Sequence, residues 1–196
     1  MFIQTAETPN PATLKFLPGK PVMAHGTAVF SNKEDLEGIH TSPLARRLFA
    51  VQGVEGAFFG SDFISVTKNT AAHWDVLKHL LLHALMDHFT SGDPVLKQTE
   101  PKSTTPSNDQ EDSAVVKEIK EMLETRVRPA VAADGGDIVF HKFENGIVYL
   151  EMQGACSGCP SSTATLKSGI ENMLKYYIPE VQEVQAINAN TACHDH

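Results

Sequence analysis

A stretch nearly devoid of large apolar side chains, residues 91–113, most constrains what this chain can fold into. Proline, serine, threonine and acidic residues dominate it. Such a segment buries too little surface to offset the entropy lost on ordering, so it is predicted to be a flexible linker. The linker separates a first domain at residues 1–90 from a second at 114–188, and residues 189–196 are predicted to form a disordered tail.

Composition and charge argue against a nucleic-acid-binding or a membrane-spanning protein. Hydrophobic residues make up 41% of the chain and charged residues 20%, as expected for a globular protein with a buried core. The net charge of -8 argues against a nucleic-acid-binding surface, which would need a basic patch. No apolar run reaches the roughly 20 residues of a membrane-spanning helix. We therefore expect no nucleic-acid partner and no membrane partner.

The N-terminal residues and the cysteine count bear on the compartment. Residues 1–11 lack the basic start and apolar core of a secretory signal, and they are not Arg-rich like a transit peptide. Three cysteines, an odd number without framework spacing, are more typical of a reducing compartment than of a disulfide-bonded secreted protein. These features predict a cytoplasmic bacterial protein, with a processed mitochondrial form as the alternative.

Both halves show the mixed periodicity of an α+β fold, so the chain is predicted to contain two small α+β domains. The first half is predicted to contain a helix capped by Ser42, a helix over 73–89, and strands at 2–4, 14–17, 28–30, 54–59 and 63–67. The second half is predicted to follow the order α-β-β-α-β, with elements at 116–127, 138–143, 147–152, 163–177 and 181–187. Pro129 is expected to help stop the first of these helices, and Tyr177 to face inward.

The run Cys156-Ser157-Gly158-Cys159-Pro160 carries the main chemical motif of the second half. Proline suits the first position of a helix, so the cysteine pair is predicted to lie in the loop that leads into the second helix of this half. The amides and partial positive charge of a helix N-terminus favour anions, which predicts a lowered pKa for a thiolate there. Gly154 and Gly158 would let the backbone approach a bound object closely.

Three kinds of site are compatible with this cysteine pair. A dithiol redox motif also lies at a helix N-terminus, and structural zinc also uses paired cysteines. Zinc and the common iron–sulfur clusters usually take four ligands, and one chain offers two at this motif. Two chains would together supply four thiolates, enough for a [4Fe–4S] cluster or for zinc across a symmetric dimer. A cluster shared in this way should be released more easily than one enclosed by a single chain, which suits a carrier.

A set of motifs in both halves resembles those of the NifU-like (Nfu) iron–sulfur scaffold proteins. The first-half motifs, residues 1–5, 8–11 and 14–16, are similar to the N-terminal domain that is specific to Nfu proteins. The second-half motifs, residues 128–129, 134–137, 154–162 and 165–166, are similar to the cysteine-containing C-terminal domain of that family. The resemblance covers both globular parts and leaves out the linker and tail. The U-type scaffold and ferredoxin-like domains of long NifU proteins have no counterpart here.

The resemblance implies a function and a set of partners. It implies that Cys156 and Cys159 bridge a [4Fe–4S] cluster between two protomers of a homodimer, which delivers the cluster to apo-proteins. The chain would then be a scaffold or carrier and not an enzyme. Its first domain would contact client proteins or upstream cluster-assembly scaffolds. A CxxC dithiol-disulfide oxidoreductase and a structural zinc-binding protein remain the alternatives.

Other candidate residues have simpler interpretations. His79 and His83 are four residues apart on a predicted helix and could reach one metal, but a polar helix flank is the simpler hypothesis. The ligand-rich end Cys193-His194-Asp195-His196 is predicted to be unstructured. Asp134 and Asp137 are predicted to bracket a turn. The arginines at 46, 47, 126 and 128 are predicted to be isolated surface charges.

Overall fold

The chain folds into two compact units, Met1–Lys102 and Ser103–His196. The structure is a computed structural model that describes residues 2–24, 26–31, 36–97, 114–156 and 160–187. Each unit combines helices with a sheet, which confirms the predicted α+β class. None of the helices within these ranges is long and apolar enough to cross a membrane.

The first unit is a five-stranded sheet with helices against it. All neighbouring strands pair antiparallel, in the order β1-β2-β5-β4-β3. Phe16, Ile64, Leu48 and Leu81 are fully buried in the core between sheet and helices. The strands are β1 Gln4–Glu7, β2 Thr13–Leu17, β3 Ala28–Ser31, β4 Val54–Phe59 and β5 Ile64–Lys68, and the helices are α1 Leu36–Thr41, α2 Pro43–Phe49 and α3 Trp74–Ser91.

Ser42 caps α2 as predicted, and it also fixes the start of the predicted linker. Its Oγ accepts a hydrogen bond from the Ala45 amide at 3.0 Å and donates one to the Val95 carbonyl at 2.6 Å. The Lys97 amide donates to the Thr41 carbonyl at 2.8 Å. Residues 91–97 therefore pack on the first unit, and the predicted start of the linker at residue 91 is wrong by at least these seven residues. Residues 98–113 lie outside the described ranges, so flexibility there stays a prediction.

Helix α3 buries a histidine that its apolar pattern did not predict. His88 is fully buried beside Leu81 and Leu85, and its two ring nitrogens have no hydrogen-bond partner within the described residues. Burial lowers the pKa of His88, and the nearby charge of Arg47 lowers it further, while Asp93 opposes the shift. The folded first unit therefore holds this imidazole in its neutral form.

The first unit should lose stability as the pH falls through the titration of His88. The folded-state pKa lies below the unfolded value of 6.5, so the unfolded chain binds more protons in the window between the two. Above about pH 6.5 His88 is neutral in both states and does not lower the free energy of unfolding. That free energy falls as the pH drops from there toward the lowered folded-state pKa. Urea unfolding between about pH 5 and pH 8, followed by the fluorescence of Trp74, the one tryptophan of the chain, measures this slope.

Two variants of α3 separate the effect of His88 from that of histidines in general. His88→Phe should flatten the pH dependence and raise stability near pH 5, because it removes a buried polar ring without a partner. His79→Gln, at an exposed position of the same helix, should leave the slope unchanged. An unaltered slope in His88→Phe would contradict this account.

Within the described residues, the second unit packs three α-helices and a π-helical turn against a three-stranded sheet. Strand β7 lies centrally, antiparallel to β6 and parallel to β8. The order α-β-β-α-β matches the prediction. Its elements are α4 Ala114–Met122, a π-helical turn Leu123–Val127, α5 Arg128–Ala133, β6 Gly136–Glu144, β7 Ile147–Gly154, α6 Pro160–Tyr177 and β8 Glu183–Ile187.

Pro129 does not stop the first helix of this unit, which corrects the prediction. The helical chain continues to Ala133 because the π turn precedes the proline, which then lies in the first turn of α5. A proline there loses no obligatory hydrogen bond. The buried residues Ile119, Leu123, Val127 and Val131 repeat every four positions. This spacing drifts around an α-helix of 3.6 residues per turn, and the wider π turn offsets the drift.

Two smaller features of the second unit are a hairpin turn and the inward face of α6, both predicted from the sequence. Asn145 and Gly146 adopt φ angles of 53° and 81°, as the predicted hairpin turn requires. Ile170 and Leu174 of α6 are buried as expected. The inward placement of Tyr177 is wrong, since 45% of it is exposed and the core position is taken by Ile178 beyond the helix end.

Candidate metal centre

Cys156 lies where β7 has ended and the chain turns toward α6. The turn follows Gly154, whose φ of 68° suits glycine, and the Ala155 amide donates to the Gly135 carbonyl at 3.2 Å. Thr163 of α6 donates through Oγ1 to the Cys156 carbonyl at 2.8 Å. These bonds fix the backbone around Cys156, and only 5% of the residue is exposed. Helix α6 begins at Pro160, three residues before the predicted start at 163, with proline at the first helical position as expected.

Of the predicted cysteine ligands, Cys156 is described and Cys159 lies outside the described residues, as does Cys193 of the tail. Residues 157–159 and 188–196 are likewise outside these ranges. The assignment of Cys156 and Cys159 as a ligand pair stays a prediction.

The start of β6 packs directly against the Cys156 thiol. A Cβ added to Gly136 would lie 2.7 Å from Cys156 Sγ and 2.6 Å from the Gln153 carbonyl oxygen. Any side chain at this position would therefore displace the thiol or the backbone of β7. The predicted turn at 134–137 is shorter than expected, because Gly136 and Asp137 already belong to the strand.

Asp137, which follows Gly136, forms a bidentate ion pair with Arg128. Arg128 donates from Nε to Oδ1 at 2.9 Å and from Nη2 to Oδ2 at 2.7 Å. The Ile138 amide also donates to Oδ1, at 2.8 Å. The Asp137 side chain is 7% exposed, whereas that of Arg128 is 35% exposed and also contacts Glu124 at 2.6 Å. Arg128 is thus not an isolated surface charge, contrary to the sequence-based prediction.

The electrostatics around Cys156 favour the protonated thiol in the folded chain. Burial, together with the smaller effect of the carboxylates of Asp134 and Asp137, raises the pKa of Cys156 to about 11. A metal ligand must be a thiolate, so a metal that binds here has to displace this proton. Thiolate sulfur is a soft ligand that suits iron–sulfur clusters and zinc. Because Gly136 has no side chain, its backbone can lie close to the sulfur.

The other candidate ligands belong to other elements of the structure or lie outside the described ranges. Within the described ranges, no three His, Cys, Asp or Glu side chains come together in a way that could hold a metal ion. His79 and His83 are exposed on α3 of the first unit, as the polar-flank interpretation predicted. His141, in β6, contacts Glu151 at 2.8 Å. A four-ligand centre at Cys156 would need residues outside the described ranges, a second chain, or both.

Comparisons with known proteins match both units. The model of the NifU-like domain matches residues 119–185, and that of the N-terminal domain of scaffold protein Nfu/NifU matches residues 3–92. Two mitochondrial relatives named NFU1 iron-sulfur cluster scaffold homolog, from Drosophila persimilis and Drosophila sechellia, are each 50% identical over 190 and 188 residues. The matches cover 95% of this chain and 65% of each relative, so the chain spans just under two thirds of their length.

A solved structure is also similar to part of the chain. The solution NMR structure of a NifU-like protein from Saccharomyces cerevisiae is 28% identical, with a TM-score of 0.46, and covers 50% of this chain and 86% of that one. Family membership rests instead on the two domain models, which match in the predicted order, and on the relatives at 50% identity. The chain belongs to the NifU-like, Nfu-type family.

Proposed function

We propose that this chain is an iron–sulfur cluster scaffold and carrier. Cys156 and Cys159 of each of two protomers would hold one [4Fe–4S] cluster, which is the cargo of the protein. The cluster would then pass to apo-proteins that need it. On this proposal the protein is a binding and delivery protein and catalyses no reaction of its own.

The observation that carries the proposal is the position of Cys156 in a unit of the Nfu type. The residue is buried at the entrance to α6, where its sulfur packs against Gly136 of β6. The start of β6 packs closely on the sulfur, since a Cβ at Gly136 would lie 2.7 Å from Sγ. Four thiolates complete the usual ligand set of a [4Fe–4S] cluster. Because the motif holds two cysteines, a dimer is the simplest source of four, and a cluster held at an interface can leave when the protomers separate.

The state of the thiol argues against the redox alternative. A dithiol oxidoreductase relies on a cysteine whose pKa is lowered, so that a thiolate attacks the substrate disulfide. Burial and two carboxylates shift the pKa of Cys156 in the opposite direction, to about 11. Such a thiol is a poor nucleophile at neutral pH but a sound ligand once a metal displaces its proton.

The partners and location follow from the same proposal. Apo iron–sulfur proteins would receive the cluster, upstream scaffolds would supply it, and the first unit would provide contact surface for either. The two relatives are named as mitochondrial, which favours the mitochondrial alternative for this chain over a bacterial cytoplasm. Structural zinc at the same cysteines remains the second candidate for the metal.

Anaerobic reconstitution of the full chain with iron and sulfide tests the proposal. We expect iron and sulfide to bind in about equal amounts, near two of each per chain, with the charge-transfer absorption of a [4Fe–4S] cluster. Mixing the loaded protein with an apo-protein that needs a [4Fe–4S] cluster should move the cluster and activate the acceptor. A protein that takes up no iron and sulfide but rapidly reduces disulfides would contradict the proposal, and so would one that retains only zinc.

A further inference from the structure

The ion pair between Arg128 and Asp137 stands next to the candidate ligand but has no part in holding a cluster directly. Asp137 follows Gly136, the residue that contacts Cys156 Sγ. Its carboxylate is nearly buried, and among the described residues Arg128 is the cation that hydrogen-bonds to it. Two parallel hydrogen bonds from one guanidinium both fix the carboxylate and offset its charge.

The charge of Asp137 matters because the cargo is itself anionic. A cluster held by four thiolates carries net negative charge, and each thiolate gains that charge when the metal displaces its proton. Asp134 and Asp137 both oppose negative charge at Cys156. An unpaired carboxylate at 137, shielded from water, would therefore repel the loaded site more strongly than an exposed one.

The π turn before Arg128 positions its side chain next to Asp137. The π turn Leu123–Val127 ends immediately before Arg128, and the Arg128 amide bonds back to the Leu123 carbonyl. The guanidinium can then reach Asp137 across the turn between α5 and β6, while its Nη1 contacts Glu124 one turn earlier. An interruption of this kind in a helix is often found at functional sites.

We infer that Arg128 is a positioning residue for cluster loading, which acts through Asp137 by neutralising a buried carboxylate beside Cys156. The inference rests on the proposed function, since it concerns how the same site receives its cargo. It differs from a purely structural role in one respect. If charge is what matters, removing the carboxylate should compensate for removing the arginine.

A set of four variants tests this in the full chain. Arg128→Gln should lower cluster loading, and the affinity for Co²⁺ as a thiolate-binding probe, by about tenfold, as expected when a partner of a metal ligand is lost. Asp137→Asn should have a smaller effect, because Arg128 keeps Glu124 as a partner. The double variant should return to within about threefold of Asp137→Asn. Arg126→Gln removes the same charge from an exposed position nearby and should bind like the wild type.

The results of these measurements separate a failure of the inference about Arg128 from a failure of the proposed function. Thermal unfolding followed by circular dichroism should show that all four variants remain folded at the temperature of the binding assay, so that differences in binding do not reflect unfolded protein. A double variant as defective as Arg128→Gln would overturn the inference, as would Arg128→Gln that binds like Arg126→Gln. If the wild type takes up no iron and sulfide while the Co²⁺ affinities keep the expected ranking, the proposed function fails and with it the role of Arg128 in cluster loading, whereas its effect on thiolate metal binding at Cys156 is supported.

Discussion

Cys156→Ala is expected to reduce cluster loading to the background level of iron and to abolish dimer formation on reconstitution. One substitution removes two of four thiolates from the dimer, one on each side of the two-fold axis. The fold should survive, because the replaced side chain is small and the second unit keeps the core formed by Leu150, Ile170 and Leu174. Iron and sulfide analysis of the anaerobically reconstituted variant, beside its circular dichroism spectrum, measures both parts of this expectation.

The matched control for this variant is Cys193→Ala, which changes the same residue type in the predicted tail. It should load and dimerise like the wild type. Cys159→Ala should lose the cluster as completely as Cys156→Ala. Full loading of Cys156→Ala would remove this residue from the ligand set, and loss of the cluster in Cys193→Ala would show that the tail supplies a ligand.

Gly136→Ala should have the second-largest effect on cluster loading, although it leaves every candidate ligand in place. The new Cβ would lie 2.7 Å from Cys156 Sγ, whereas ordinary contacts are 3.4–4 Å. Relief of this overlap has to move the thiol or β7, because the other close atom is the Gln153 carbonyl oxygen of the backbone. We expect a loss of about 1–3 kcal/mol in the free energy of unfolding of the second unit and a loss of about tenfold in cluster loading.

Gly169→Ala makes the same chemical change where there is space. Gly169 lies within α6, and a Cβ there meets nothing within 4 Å. This variant should gain up to about 1 kcal/mol in stability, because alanine favours helix more than glycine, and it should load normally. Equal behaviour of the two variants in urea unfolding and in loading would show that the contact between Gly136 and Cys156 does not control the site.

Local chemistry was enough to predict much of the fold. Asn145 and Gly146 specify a hairpin turn, Ser42 and Pro43 specify a helix start, and Pro160 specifies another. Each of these depends on the backbone preferences of one or two residues. The α+β class followed from them together with the alternation of apolar residues along the strands.

What the sequence failed to predict depends on contacts between distant residues. The overlap that restricts Gly136 involves Cys156, which is twenty positions away, and no local pattern reveals it. The pair of Arg128 and Asp137 spans nine positions across a turn, although the spacing of Glu124 and Arg128 on one helix gave a partial indication.

Two other features were not predicted, the burial of His88 and the continuation of the helix through Pro129, and the reasons differ. His88 continues the inward spacing of Leu81 and Leu85 on α3, so the helical pattern could have identified it. Histidine is polar, however, so a pattern of apolar residues does not include it. The continuation of the helix through Pro129 could not be predicted, because it needs the π turn that tertiary packing imposes.

Native mass spectrometry of the anaerobically reconstituted full chain tests most directly the claim that two protomers share one cluster. The account predicts that iron and sulfide, about four of each, appear only at the mass of a dimer. Removal of the cluster with an iron chelator should return the protein to the mass of a monomer. A cluster of the same composition on a monomer would contradict the account, as would a dimer that persists unchanged after the metal is removed.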